Sequence, residues 1–181
     1  PEGDKEKLAK TLFCYENPPG TPYISGSQDA LGIVMPGLNK YEYKDNYWPE
    51  SIENNLDPDI LGWLEKYIWL VPLYPRGESY DVLAETRIDT LSVKALSDAA
   101  RCCWQAILDK DLPRFGAQVR ASFEAQIAMF PHMVNEDILK QIEEYKDSVS
   151  GWKLSGAGGG GYLIFISEKP VKHSFQIRIR R

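Results

Sequence analysis

The run Gly156-Ala157-Gly158-Gly159-Gly160-Gly161 is the segment whose composition most constrains chemistry. A glycine held in ordered structure costs roughly 0.5–1 kcal/mol relative to alanine. Five glycines among six residues therefore represent a large avoidable instability. A hairpin turn needs special conformations at only two positions. Bare main chain on this scale implies close approach of another chain segment or of a ligand. Consecutive unhindered amides also form a concave nest for anions. The alternative is a loose loop joining two strands.

Two phosphate-binding patterns match in letters and fail in context. Gly156-x-Gly158-x-x-Gly161 spells the dinucleotide fingerprint, but a strand follows it and no acidic residue stands about twenty positions on. In the P-loop pattern, Tyr162-Leu163 stands where Lys-Ser or Lys-Thr is needed. Metal chemistry has little to work with. Cys14, Cys102, Cys103, His132 and His173 are the only cysteines and histidines, and no Cys-x-x-Cys pair exists. The cysteines read as small buried apolar residues in a reducing compartment.

Composition sets outer limits. The 181 residues are long enough for one large domain or two small ones, and 43% are hydrophobic, which suits a packed core. The net charge of −5 and a pI of about 5.1 argue against an electrostatic grip on nucleic acid or an anionic membrane. A small phosphorylated ligand needs only a local site and stays admissible. The charged first ten residues read as no signal peptide, and no apolar run is long enough to span a bilayer. A cytoplasmic location follows as an expectation. The start at Pro1 fits either processing or a piece of a longer protein.

Elements must position the glycine run. Residues 5–14 read as the end of a helix, and the prolines of 17–22 interrupt regular structure. Ser25-Gly26-Ser27-Gln28-Asp29 opens a short helix, with Ser25 or Ser27 as cap, which Met35-Pro36-Gly37 ends. A strand is expected over 38–43 and polar turns over 44–62. A second strand is expected over 67–74, placed at an edge or bulge by Pro72. Apolar spacing of three or four predicts helices over 88–109, 112–129 and 135–149. Asn135 is the expected cap of the third and Gly151 its stop. Strands follow at 152–154, at 162–166 (apolar throughout, so buried on both faces) and over the alternating 173–180. The order argues for α+β.

Lys153-Leu154-Ser155 followed by the glycine run resembles the third signature motif of the GHMP kinases, the family of galactokinase, homoserine kinase, mevalonate kinase and phosphomevalonate kinase. In that family a strand, this loop and a second strand follow helices near the carboxyl end, as here. Ser25-Gly26-Ser27-Gln28-Asp29 resembles the family segment that holds an acidic residue beside the phosphoryl acceptor. The Gly-x-Gln/Met-Asp form is that of the sugar 1-kinase branch, with galactokinase and heptose-phosphate kinases. Pro36-Gly37-Leu38-Asn39 resembles that branch's small-residue turn and strand. The family's phosphate loop, of Pro-x-x-x-Gly-Leu-Gly-Ser-Ser type, does not precede Asp29 here, and the amino-terminal substrate motif is missing too.

The resemblance implies the carboxyl-terminal portion of such a kinase. The expected fold is α+β, a ferredoxin-like (split βαβ) carboxyl-terminal domain over 46–181 with a remnant of the amino-terminal domain over 1–45. The implied activity is ATP-dependent phosphorylation of a sugar or sugar-phosphate hydroxyl, with little or none from this portion alone. ATP and Mg2+ would be bound mainly through residues outside this chain, without a resident metal site. Asp29 would accept the acceptor hydroxyl's proton, or orient that hydroxyl. Ser155, Gly156, Ala157, Gly158, Gly159, Gly160 and Gly161 would approach the transferred group or the sugar. Ser27, Gln28, Arg76 and Asp81 are candidate substrate contacts, since arginine grips phosphate and aspartate accepts sugar hydroxyls. Expected partners are a small sugar or sugar phosphate and ATP, with neither nucleic acid nor membrane, and a homodimer as an option. A mevalonate-type kinase, a non-catalytic ligand-binding relative and a ferredoxin-like module of other ancestry are the rival readings.

Overall fold

The computed structural model describes residues 3–77 and 80–181. Two compact units divide the chain, residues 1–61 with 179–181, and residues 62–178.

In the first unit, α1 (Lys5–Glu16) starts where the Asp4 carboxylate accepts from the amide of Lys7. It packs on α2 (Gln28–Val34) through the fully buried Ala9, Ala30 and Leu31. Strands β1 (Leu38–Glu42) and β2 (Ser51–Asn55) form an antiparallel pair, with Leu38 opposite Asn55. The carboxyl-terminal residues rejoin this unit, where the Gly37 amide donates to the Arg180 carbonyl. The division of the chain falls within α3 (Pro58–Tyr67). β2 and the first half of α3 lie in the 44–62 stretch expected to be turns. Pro58 needs no amide partner in a first helical turn, and Ile60, Leu61 and Leu64 supply a buried apolar stripe.

The second unit is an antiparallel sheet with helices. Its strands are β3 (Ile68–Pro72), β4 (Gly151–Leu154), β5 (Tyr162–Ile166) and β6 (Phe175–Gln176), in the spatial order β4-β5-β3-β6. The chain reaches β4 from β3 through α4 (Thr90–Leu108), α5 (Leu112–Met129) and α6 (Glu136–Tyr145), and β5 lies between the two strands so joined. This is the split βαβ arrangement, which bears out the α+β, ferredoxin-like expectation. Between β5 and β6 the second crossover is a turn-rich loop over 167–174 and not a helix.

Each of the three helices starts at a residue that can accept from a free amide. Asp89, Asp111 and Asn135 accept from the amides of Ser92, Arg114 and Ile138. Cross-strand pairing puts Val71, Leu154, Leu163 and Phe165 on one face of the sheet, where they join Phe123, Ile138 and Ile142 in the core.

Several expectations need correction. Pro72 does not make β3 an edge strand, because β3 lies between β5 and β6. The Leu73 amide donates toward β5, so the nitrogen of Pro72 faces the other side, beyond the short β6 ladder of Trp69 and Leu70. β5 is buried at Leu163, Phe165 and Ile166 but partly exposed at Tyr162 and Ile164. The alternating carboxyl-terminal stretch pairs only at Phe175 and Gln176. Gly151 is no helix stop. It opens β4 against Gly116 of α5, and a Cβ there would overlap the Gly116 backbone.

The cysteines separate by burial. Cys14 is exposed, against expectation. Burial pushes the Cys103 thiol up to about 11, while the Lys153 ammonium opposes the rise. Burial in turn lowers Lys153. Iodoacetamide at pH 8 is therefore expected to modify Cys14 while leaving Cys103 intact until denaturant is added. Peptide mass spectrometry reads this, and Cys103 modified at the rate of Cys14 in the folded chain would contradict the packing.

Candidate active site

The register of the sheet builds the site. Pro72 pairs with Tyr162, so the chain leaving β3 runs beside the glycine loop as that loop enters β5. The Leu73 amide donates to the Gly161 carbonyl and the Gly161 amide to the Tyr74 carbonyl. On its β4 side the Ser155 amide donates to the Tyr162 carbonyl and closes the hairpin. From the helical side, the 3-10 turn Pro131–Met133 supplies the Met133 carbonyl, which accepts from the Gly159 amide at 2.9 Å.

Two side chains complete the clasp. Arg76 Nε donates to the Gly158 carbonyl and the Tyr80 hydroxyl donates to the Ala157 carbonyl, each at 2.8 Å. The Arg76 guanidinium lies 5.9 Å from the Tyr80 ring centroid. Burial raises the Tyr80 phenol, the Arg76 charge opposes this, and the Asp81 charge adds to it. Tyr80 is thus a protonated donor at neutral pH.

The loop is ordered by its own protein, which decides between the two sequence-level readings of its bareness. Gly158 has φ +76°, and a Cβ there would stand 2.5 Å from the Met133 carbonyl oxygen. Gly159 has φ +68°, and its Cβ would overlap the ring of Tyr80. At these positions another chain segment, not a ligand, demands glycine. Gly161 has nothing within 4 Å of an added Cβ, and Gly156 only the end of Arg76 at 3.6 Å. Among the described residues the amides of Gly156, Ala157 and Gly158 take no partner. Positive φ at Gly156 and Gly158 alternates with the ordinary sign at Ala157, the backbone pattern of an anion nest.

The other candidates fall in different settings. Of the second unit's pair, Arg76 joins the loop, whereas the Asp81 carboxylate accepts from the Leu83 amide in a turn. In the first unit, Ser27 is fully buried and does not cap α2. Its hydroxyl donates to the Tyr47 carbonyl at 2.6 Å and lies 3.0 Å from the Tyr43 hydroxyl. Ser25 does not cap α2 either, since its hydroxyl donates to Asn17 Oδ1. Gln28 and Asp29 are exposed in the first turn of α2, and the Asp29 carboxylate has no partner among the described residues.

Sequence reasoning missed Tyr74 and Met133. They contribute backbone oxygens, which leave no mark in residue identity. His132 is exposed. His132 Nε2 stands 3.7 Å from Glu85 Oε1 beside the loop. For a nucleotide, the residues that fit are the amides of Gly156, Ala157 and Gly158, which suit phosphate oxygens. Among the described residues no three His, Cys, Asp or Glu side chains are grouped to hold a metal ion. Among the described residues, likewise, no helix is long and apolar enough to cross a membrane.

No family model matches the chain. The bifunctional fucokinase/GDP-fucose pyrophosphorylase of Arabidopsis thaliana is 25% identical over 178 residues, covering 92% of this chain and 17% of that protein. Among solved structures, a D-glycero-D-manno-heptose 1-phosphate kinase from Bacteriodes thetaiotaomicron superposes with a TM-score of 0.63 at 14% identity. The match covers 99% of this chain and 53% of that one. A mevalonate kinase gives 0.56 at 16% identity, covering 99% and 58%. At such identities the structural likeness is one of fold, and the chain spans little more than half of each structural relative.

Proposed function

The chain has the fold of the carboxyl-terminal part of a GHMP kinase, and from that premise we propose that it is part of an ATP-dependent kinase for a sugar or sugar-phosphate hydroxyl. The observation that carries this reading is the clasped glycine loop, whose three consecutive amides are unpaired among the described residues, set in a fold shared with a heptose-phosphate kinase. The fucokinase similarity supports a sugar over a mevalonate-type acceptor. The activity is proposed for the polypeptide that holds this segment together with the remainder of that fold. The 181 residues alone are expected to turn over little, since residues 1–45 would retain only part of the amino-terminal domain.

Bound ATP, with its Mg2+, supplies the transferable phosphoryl group. The amides of Gly156, Ala157 and Gly158 would hold phosphate oxygens in place, and positioning of this kind is most of what phosphoryl transfer needs. Arg76 acts by bracing the loop through the Gly158 carbonyl. The Asp29 carboxylate, uncommitted within its unit, would accept the proton of the acceptor hydroxyl or orient it.

Asp29→Asn keeps the size of the side chain and removes its charge. Phosphorylation of the sugar by the active polypeptide is expected to fall by roughly 100-fold or more in kcat. An unchanged kcat would remove Asp29 from the chemistry and leave a ligand-binding relative as the better reading.

A further inference from the structure

Apolar residues recur along α4 and its approach at Ile88, Leu91, Ala95, Ala99, Cys102 and Ala106, one continuous helical face. The second unit covers only the far half of that face. Ala99 and Ala106 are buried, whereas Ile88 is 65% exposed, Leu91 is 81% exposed and Ala95 is exposed. Beside the bare half, α5 packs along α4. An open groove of about 400 Å³ runs between the two helices, with Leu91, Ser92 and Ala95 on one side and Ala121, Glu124 and Ala128 on the other. We propose that this face is the contact surface for a second copy of the chain, with the two α4 helices meeting about a two-fold axis. The proposal does not depend on the kinase reading.

A two-fold contact requires one patch to carry both a projection and the recess that receives it. Here they are neighbours. Leu91 projects at the rim of a groove whose walls are mostly alanine. Charge follows the same rule. Lys94 lies one helical turn from Leu91, and Lys94 and Arg101 share the single carboxylate of Asp98, which leaves this side of α4 with an excess positive charge. Across the groove Glu124 is exposed and has no ion-pair partner among the described residues. Setting the two α4 helices antiparallel puts each Leu91 into the other copy's groove and each Lys94 towards the partner's Glu124, so every contact is made twice.

The bare stretch covers about two turns of α4. Two turns from each copy lie at the low end of the ~800 Å² per partner found in stable interfaces. The pair is therefore expected to be weak, with a Kd of about 50 µM. Aromatic anchors are missing from the groove walls, which also points to modest affinity.

Sedimentation equilibrium of the 181-residue chain, from about 2 to about 500 µM, tests this. The mass is expected to rise with concentration from the 20.6 kDa of one chain towards twice that value. Leu91→Glu should leave the denaturant midpoint in place and weaken association by about tenfold or more. Glu124→Lys sets like charges face to face and should weaken association to a similar degree. The double variant Glu124→Lys/Lys94→Glu reverses the pair and should recover the parent Kd within about threefold. A chain that stays monomeric at every concentration would overturn the proposal, and would leave this face for a partner other than a second copy. Association that Leu91→Glu leaves unchanged in a folded chain would overturn it too, since the contact would then lie elsewhere. Should Leu91→Glu lower the midpoint, the charge reversal decides. A double variant as weak as Glu124→Lys alone would refute the two-fold pairing.

Discussion

Gly151→Val is expected to destabilise the helix–sheet unit by about 3 kcal/mol or more, enough to leave a large unfolded fraction at 37 °C in a domain of ordinary stability. The reason is the crossing of α5 and β4, where the two backbones approach with no side chain between them. A Cβ on Gly151 would overlap the Gly116 backbone, and one on Gly116 would stand 2.5 Å from the carbonyl of Ser150. Neither neighbour is a flexible side-chain end that can swing away. Gly62→Ala is the control. It lies inside α3 with nothing within 4 Å of an added Cβ, so alanine there should be neutral or add up to about 1 kcal/mol. Denaturant unfolding measures both. Equal midpoints for Gly151→Val and the parent chain would mean that α5 and β4 do not meet as described.

Gly159→Ala is expected to lower kcat of the active polypeptide by roughly 100-fold while the chain stays folded. An added Cβ displaces either the loop or the Tyr80 ring, and small misplacements near reacting groups cost about that much. Tyr80→Phe removes only the hydrogen bond to Ala157 and should cost about tenfold. The two sites are in contact, so their effects should not add. Tyr80→Ala clears the space that the methyl group introduced by Gly159→Ala needs. The Gly159→Ala/Tyr80→Ala double variant should therefore lose less than the product of the single losses. Strict additivity would deny that the ring is what the glycine accommodates.

The helices, the apolar strand β5 and the glycine run were legible because each writes its physics locally. α4, α5 and α6 repeat apolar residues at helical spacing behind an Asp or Asn cap. β2 could not be read, since Ser51-Ile52-Glu53-Asn54-Asn55 has a single apolar residue and becomes a strand by pairing with β1. α3 could have been read from Ile60, Leu61 and Leu64, but the polar stretch around it, with Pro49 and Pro58, suggested turns. At the site, sequence marked the loop and Arg76, while the partners that force the glycines come from register. Tyr74 reaches the loop because Pro72 pairs with Tyr162, and Met133 because a 3-10 turn follows α5. Ser27 was misread as a helix cap because burial turns its hydroxyl inward to the Tyr47 carbonyl.

The most direct test of the kinase reading is transfer of the terminal phosphate of labelled ATP to a panel of hexoses and hexose phosphates by the polypeptide that contains this segment. Label is expected on a sugar hydroxyl, with one ADP formed for each sugar phosphate. A folded, ATP-binding polypeptide that labels none of the panel would contradict the reading.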